Sequence, residues 1–267
     1  MDGVTPVPYE PPPAPPPYPP RMDPRRRRVL LAVAVVWALV LGTIGIWYSL
    51  HGRPSAREQT TIAQAQPTVD QAVENVVRAA GGTAVPAVFG YEKASDCHVT
   101  PVRGGATYER AVWLYTKVGG EPALLDRIAS GLPAGYGAKA HHPPGGAPHT
   151  LTADAGFFVT VDGTTTVPGL VTVKAGTGCR TLGHQPATDP AGAPGPDPLG
   201  ISGEWRMHSL PCGLRTAEVA GPATRPWATL PRDQAVVATD DVYALASGVA
   251  AHRAGDTVTV TATTGSC

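Results

Sequence analysis

Twenty consecutive residues, Val29–Tyr48, carry no charge and nothing more polar than threonine. An α-helix rises about 1.5 Å per residue, so this run covers about 30 Å, the depth of a bilayer's hydrocarbon core. No polar stripe interrupts it, which argues against an amphipathic core helix. The run predicts one transmembrane helix over residues 29–50, with the lipid bilayer as its partner through residues 29–48. Whatever else the chain folds into must therefore form on one or other side of a membrane.

The flanks give the run a direction. Arg25, Arg26, Arg27 and Arg28 stand directly before it, and no comparable cluster follows Tyr48. Positive charge beside a first span is retained on the cytoplasmic side. The expected topology is a cytoplasmic N-terminus, with Ser49 onward extracytoplasmic at the cell membrane. Trp37 falls mid-span, whereas Trp47 and Tyr48 are expected at the outer interface. A cleaved signal peptide would have an apolar stretch of about 7–15 residues and a small-x-small site. This run is longer, and Trp47-Tyr48-Ser49-Leu50 is a poor cleavage site, so an uncleaved signal anchor is expected.

Residues 1–28 read as a disordered, proline-rich cytoplasmic tail. Eleven prolines fall within the first 24 residues, and such a segment samples extended polyproline II without building a core. Pro15-Pro16-Pro17-Tyr18 spells a PPxY motif of the type WW domains bind, although a solvated tail of this composition produces it readily.

Beyond the helix the chain is nearly neutral, and net charge over the whole sequence is zero, so no global field favours nucleic acid. Residues 51–67 are expected to form a polar tether and residues 68–182 an α+β module. Thr68 with Gln71 suggests a capping box, and Val69, Val73, Val76, Val77 and Ala80 share one helical face before Gly81-Gly82. The period then changes to two. Strands are expected over 85–91, 97–102 and 107–118, with Gly104-Gly105 turning between the last two. A short helix should open at Glu121-Pro122, present Leu124, Leu125 and Ile128, and stop at Gly131 before Pro133. The segment from Lys139 to Thr150 reads as a loop, followed by strands near 151–162 and 169–175. Residues 183–202, rich in proline and glycine, read as a linker without core residues. Residues 203–267 form a small β-rich module with strands near 236–238, 242–246 and 257–263. The fold class is thus an α+β ectodomain of β-rich modules with two short helices.

The two modules end alike. Val171-Thr-Val leads to Thr177-Gly178-Cys179, and Val258-Thr-Val leads to Thr264-Gly265-Ser266-Cys267. Each also has an early cysteine, Cys97 or Cys212. A divergent repeat accounts for this if the helix after Glu121 is missing or shortened in the second copy. Four cysteines allow three pairings, export favours oxidation, and a modular repeat selects Cys97–Cys179 with Cys212–Cys267. No two cysteines stand within four residues, so metal or redox spacing is absent.

Candidates for chemistry are weaker. His141, His142 and His149 share one loop, yet no carboxylate or cysteine lies in it to complete a metal site, and no metal or cofactor is expected. Cys97-His98 and Asp240-Asp241 are adjacent pairs whose members alternate faces in an extended chain; the aspartates suit a turn before Val242. No G-x-S-x-G, S-x-x-K, H-E-x-x-H or P-loop occurs. Trp113, Tyr115, Trp205 and Trp227 could stack on sugars if exposed, or fill a core. In layout, and in its alanine-, arginine-, glycine- and proline-rich composition, the chain resembles single-pass envelope proteins of high-GC actinobacteria. That resemblance implies an anchored ectodomain and no particular activity. The expected function is a binding or interaction ectodomain engaging an envelope protein or the cell wall. The alternative, an envelope enzyme, requires two or more of His98, Glu109, Asp126, His184, Glu204 and His208 to converge in one pocket.

Overall fold

The computed structural model describes residues 24–51, 61–100, 103–181, 183, 186 and 189–267, except for the side chains of residues 47–51 and 100. Most of the proline-rich tail, the interfacial Trp47 and Tyr48 side chains, tether residues 52–60 and His184 fall outside this description.

Helix α1, Pro24–His51, forms a unit by itself. Within it, Pro24–Ile46 is apolar and long enough to cross a membrane, and none of it is buried against protein. The helix begins before the apolar run and takes in Arg25–Arg28. The Thr43 hydroxyl within it is satisfied locally, since Oγ1 donates to the Leu39 carbonyl at 2.7 Å.

The second unit holds the remaining helices and both sheets. Helix α2, Ile62–Ala80, starts seven residues earlier than the Thr68 cap suggests. Thr61 caps it, with its hydroxyl accepting from the Gln64 N–H while the Gln64 side chain accepts from the Thr61 N–H. Pro67 lies inside the helix; so close to the N-terminus it forfeits a single intrahelical bond. Ile62 and Ala65 extend the buried stripe that continues through Val69, Val73, Val76 and Ala80.

The first sheet contains β1 (Val85–Thr100), β2 (Arg103–Tyr115), β3 (Lys139–His141), β4 (Thr150–Asp154), β5 (Thr160–Val167), β6 (Leu170–Gly176) and the two-residue β7 (Arg180–Thr181). Helix α3, Glu121–Gly131, joins β2 to β3 with proline in its first turn, as its sequence predicts. Three expectations need correction. The strands expected at 85–91 and 97–102 belong, as far as Thr100, to one long strand, β1, whose register shifts after Val88, Lys93 and His98 absorb the polar stretch between them. Gly104 and Gly105 are paired residues of β2, not a turn. A Cβ on Gly105 would lie 2.3 Å from the Arg180 carbonyl, so the glycine admits β7 alongside. The segment near 151–162 is two strands separated by a tight turn, and part of the expected loop before it forms β3 on the sheet edge.

The second sheet contains β8 (Arg206–Ser209), β9 (Arg215–Gly221), β10 (Ala235–Ala238), β11 (Val242–Leu245), β12 (Val249–Ala254) and β13 (Thr257–Thr264). Its order, β8-β9-β13-β12-β11-β10, matches that of the first sheet, β1-β2-β6-β5-β4-β3, strand for strand. The disulfides also correspond. Cys97 on β1 joins Cys179 beyond β6, and Cys212 beyond β8 joins Cys267 beyond β13. Where the first sheet has α3 between its second and third strands, the second has a single 3₁₀ turn, Trp227–Thr229.

Three apolar layers hold the unit together. Helices α2 and α3 cover one face of the first sheet through Val76, Leu125, Ile128, Val112 and Val173. The opposite face, carrying Ala87, Phe89, Tyr115 and Leu170, packs on Val237, Val242, Ala244 and Ala250 of the second sheet. The far face of the second sheet is covered by Leu199 and Ile201, which lie in the segment expected to be a linker without core residues. That segment is a structural cover because Val219, Tyr243, Val258 and Val260 would otherwise face water. Alternation now makes sense: Val112 and Leu114 on β2 face the helices, while Trp113 and Tyr115 face the second sheet.

Candidate functional site

His208 is nearly fully buried on β8, and its ring bridges two carboxylates. Nδ1 lies 2.9 Å from Asp189 Oδ2 and Nε2 lies 2.6 Å from Glu218 Oε2. Asp189 comes from the covering segment and Glu218 from β9. The group rests on Gly90 of β1, where a Cβ would stand 2.4 Å from the Asp189 carboxylate, so only glycine permits this approach. Around it lies a cavity of about 240 Å³. Burial disfavours the charged ring, but the two hydrogen bonds and the two negative charges prevail and raise the His208 pKa to about 9. At neutral pH the ring is an imidazolium with both N–H groups committed to carboxylates. It has no free lone pair for a metal and cannot accept a proton, so it clamps elements together instead of acting as a base.

A second buried polar group lies beside it. Arg110 Nη1 meets Asp70 Oδ1 at 2.5 Å, Nε donates to the Phe89 carbonyl and Nη2 to the Ser209 carbonyl. Tyr91 Oη donates to the same Asp70 oxygen at 2.6 Å. Burial, then the charge of Asp70, drives the Tyr91 pKa well above its ordinary value. These groups tie α2, β1, β2 and the end of β8 together.

The residues an enzyme would need do not converge. His98 and Glu204 are exposed, Glu109 pairs with Lys174 at 3.0 Å, and Asp126 on α3 meets His142 at 2.9 Å. His208 alone of the described five lines the cavity above. His142 and His149 approach to 3.1 Å between their Nδ1 atoms, but the chain Asp126–His142–His149 is linear. Among the described residues no group of three or more His, Cys, Asp or Glu is arranged to hold a metal ion. Cys97 is in a disulfide and so offers no thiolate to His98. Asp240 and Asp241 sit in the β10–β11 turn, and Asp241 pairs with Arg253. The tryptophans pack inward: Trp113 lies 4.4 Å from Phe89 and 5.0 Å from His252, and Trp227 donates to the Thr239 carbonyl.

A groove unseen in sequence opens where the two sheets meet α2, beside the 3₁₀ turn Gly81–Thr83. Its main hollow, about 510 Å³, is lined by Gly82, Thr83, Val85, Pro86, Leu214, Val236 and Gly248. Two adjoining hollows share Gly82 with it; one extends to Val77, Arg78 and Cys267, the other to Lys117, Leu124 and Arg127. The main hollow mixes apolar residues with Thr83, Ser247, Thr263 and Thr264, the cations Arg78, Lys117 and Arg127 stand along the adjoining hollows, and no Asp, Glu or His side chain lines any of the three. Arg127 donates to Thr83 Oγ1 at 2.8 Å, and Arg78 reaches the Cys267 carbonyl, so two of the cations are held in place. Glycines and residues from α2, α3, β1, β2, β10 and β13 build this groove, which explains why no local motif announces it.

Compared with protein-family models, with curated proteins and with solved structures, the chain matches none.

Proposed function

We propose that the protein is a single-pass, membrane-anchored ectodomain that works by binding an acidic, extended segment of another envelope protein in the groove beside Gly82. The apolar α1 and the disulfide-bonded β-rich unit are compatible with an anchored ectodomain in an oxidising compartment. The orientation, with Arg25–Arg28 cytoplasmic and residues from Thr61 onward outside the cell membrane, rests on the positive-inside rule. The observation that carries the binding reading is the groove: a floor of small apolar and hydroxyl residues with Arg78, Lys117 and Arg127 along it, of which Arg78 also lies 3.8 Å from Glu74, and no Asp, Glu or His side chain in its lining. Such a surface attracts carboxylates but offers no proton transfer to a substrate. The scatter of the candidate catalytic residues favours binding over an enzyme in the same way.

The test uses the full chain in its native membrane, with a photo-crosslinking residue at position 83 or 236. Both positions should give one discrete protein adduct that is lost at high salt and in the double variant K117E/R127E. An adduct sensitive to wall-degrading enzymes would assign the groove to a wall polymer. Adducts no stronger than at an exposed site such as position 139 would overturn the reading. For topology, alkaline phosphatase fused after residue 60 should be active outside the cell; activity there only from a cytoplasmic reporter would reverse it.

A further inference from the structure

The histidine loop that carries no carboxylate of its own meets one in the fold. His141 of β3 pairs with Thr150 of β4, so the next residues outward, His142 and His149, face each other across the mouth of the loop 143–148. Their Nδ1 atoms stand 3.1 Å apart. Behind His142, Nε2 lies 2.9 Å from Oδ1 of Asp126 on α3. An ionised carboxylate only accepts, so the neutral His142 ring carries its proton on Nε2 and turns the lone pair of Nδ1 toward His149.

Both rings are fixed from outside the loop. Thr165 of β5 holds His149 by both backbone groups: its Oγ1 accepts the His149 N–H at 3.0 Å, and its own N–H donates to the His149 carbonyl at 3.0 Å. Pro143, Pro144 and Pro148 stiffen the connection between the two histidines. Ligands ordered in this way lose little entropy when an ion binds. The His142 side chain is 31% exposed, so the pair is open to an ion from solvent.

We infer that His142 and His149 bind one divalent first-row transition-metal ion between their Nδ1 atoms, copper(II) most tightly. Imidazole nitrogen suits copper, zinc and nickel, and copper(II) heads the order of affinities at a given nitrogen site. With metal–nitrogen bonds of about 2.0–2.1 Å, nitrogens 3.1 Å apart subtend about 100° at the ion, between the square and the tetrahedral angle. The ion replaces the proton that the two nitrogens otherwise share. Asp126 is a positioning residue: by accepting the Nε2 proton it fixes the tautomer that leaves Nδ1 free and makes that nitrogen a stronger ligand. Among the described residues no third His, Cys, Asp or Glu joins the set, so water takes the remaining coordination positions. His141 is exposed on β3 and, by strand alternation, belongs to the other face.

The test is copper(II) titration of the full chain in detergent at pH 7.5, followed by electron paramagnetic resonance, with H142Q/H149Q as the background. Wild type should bind one equivalent more than the background, with the electron spin-echo modulation of coordinated imidazole. H142Q and H149Q should each weaken that equivalent at least tenfold, whereas H141Q should leave it unchanged. D126A should weaken it about tenfold and shift the modulation of the remote His142 nitrogen, and D126N, whose carbonyl can still accept the Nε2 proton, should recover part of the loss. Equal binding by wild type and H142Q/H149Q, or a loss in H141Q as large as in H142Q, overturns the site. Unchanged affinity and modulation in D126A overturn the part given to Asp126. A second readout needs no spectrum: copper(II) should raise the Tm of wild type and not that of H142Q/H149Q, and equal shifts in the two count against the site. Both disulfides and an unaltered metal-free Tm in each variant separate loss of the ligands from loss of the fold.

Discussion

Replacing His208 with glutamine should remove a pH-dependent share of stability that can be worked out beforehand. The ring's pKa stands near 9 in the folded protein and 6.5 in the unfolded chain. At about 1.4 kcal/mol per pH unit, this difference corresponds to about 3 kcal/mol. Because the folded value is the higher one, the contribution is complete below pH 6.5 and is lost as pH rises through 9. For a compact unit spanning residues 54–267, 3 kcal/mol amounts to about 6–12 °C in Tm. The assay is thermal unfolding of the full chain in detergent, followed by tryptophan fluorescence between pH 6 and 10. Wild type should lose about that much more than H208Q across the range, since the variant cannot titrate there but retains every other group. At pH 6 H208Q should be the less stable, with Asp189 and Glu218 left facing each other without their cation. Parallel curves for the two proteins, or a His208 ring titrating near 6.5 by NMR, would refute the clamp.

His252 should act in the opposite sense. Burial beside Trp113 lowers its pKa, with the charge of Asp241 only partly opposing this. Its stability contribution is complete above 6.5 and lost as pH falls below that value, so H252Q should flatten the acid limb when the same unfolding experiment is extended down to pH 4. Leu199→Ala should cost about 2–5 kcal/mol, because Leu199 is fully buried on the second sheet; a change below 0.5 kcal/mol would make its segment a true linker. Replacing both Cys97 and Cys179 by serine should destabilise by up to about 4.5 kcal/mol, and the Cys212–Cys267 pair by up to about 4.2, from loops of 82 and 55 residues. Peptide mapping without reduction checks the pairing, and a Cys97–Cys212 peptide would refute it.

What could be read locally lay in short-range patterns. The α3 boundaries follow from Glu121-Pro122 and Gly131 because capping and proline chemistry act within one turn. The β10–β11 turn follows from Asp240-Asp241 for the same reason. Thr61 with Gln64 has the same capping-box spacing as Thr68 with Gln71, and local spacing alone does not choose between the two. Strands β8, β9 and β12 are short or irregular in their burial, with no strict alternation of apolar and polar residues to mark them. The scarcely apolar segment around Leu199 and Ile201 gave no periodic signal at all.

The His208 clamp and the groove could not be read in this way. Asp189, His208 and Glu218 are spread over thirty residues, and Gly90, the glycine that admits them, is about a hundred residues away. In sequence each is an ordinary polar residue, and the ring's pKa depends on distances that only packing sets.

By itself the sequence determined that one helix can cross a bilayer, that the rest is β-rich, and that the chain's halves echo one another, because apolar length, period and turn chemistry are properties of neighbouring residues. Only the tertiary structure decided that the halves share a core, that a proline-rich segment seals it, which histidine is charged, and which surfaces remain open. Those outcomes depend on burial and on contacts between residues far apart in the chain, which no local pattern encodes.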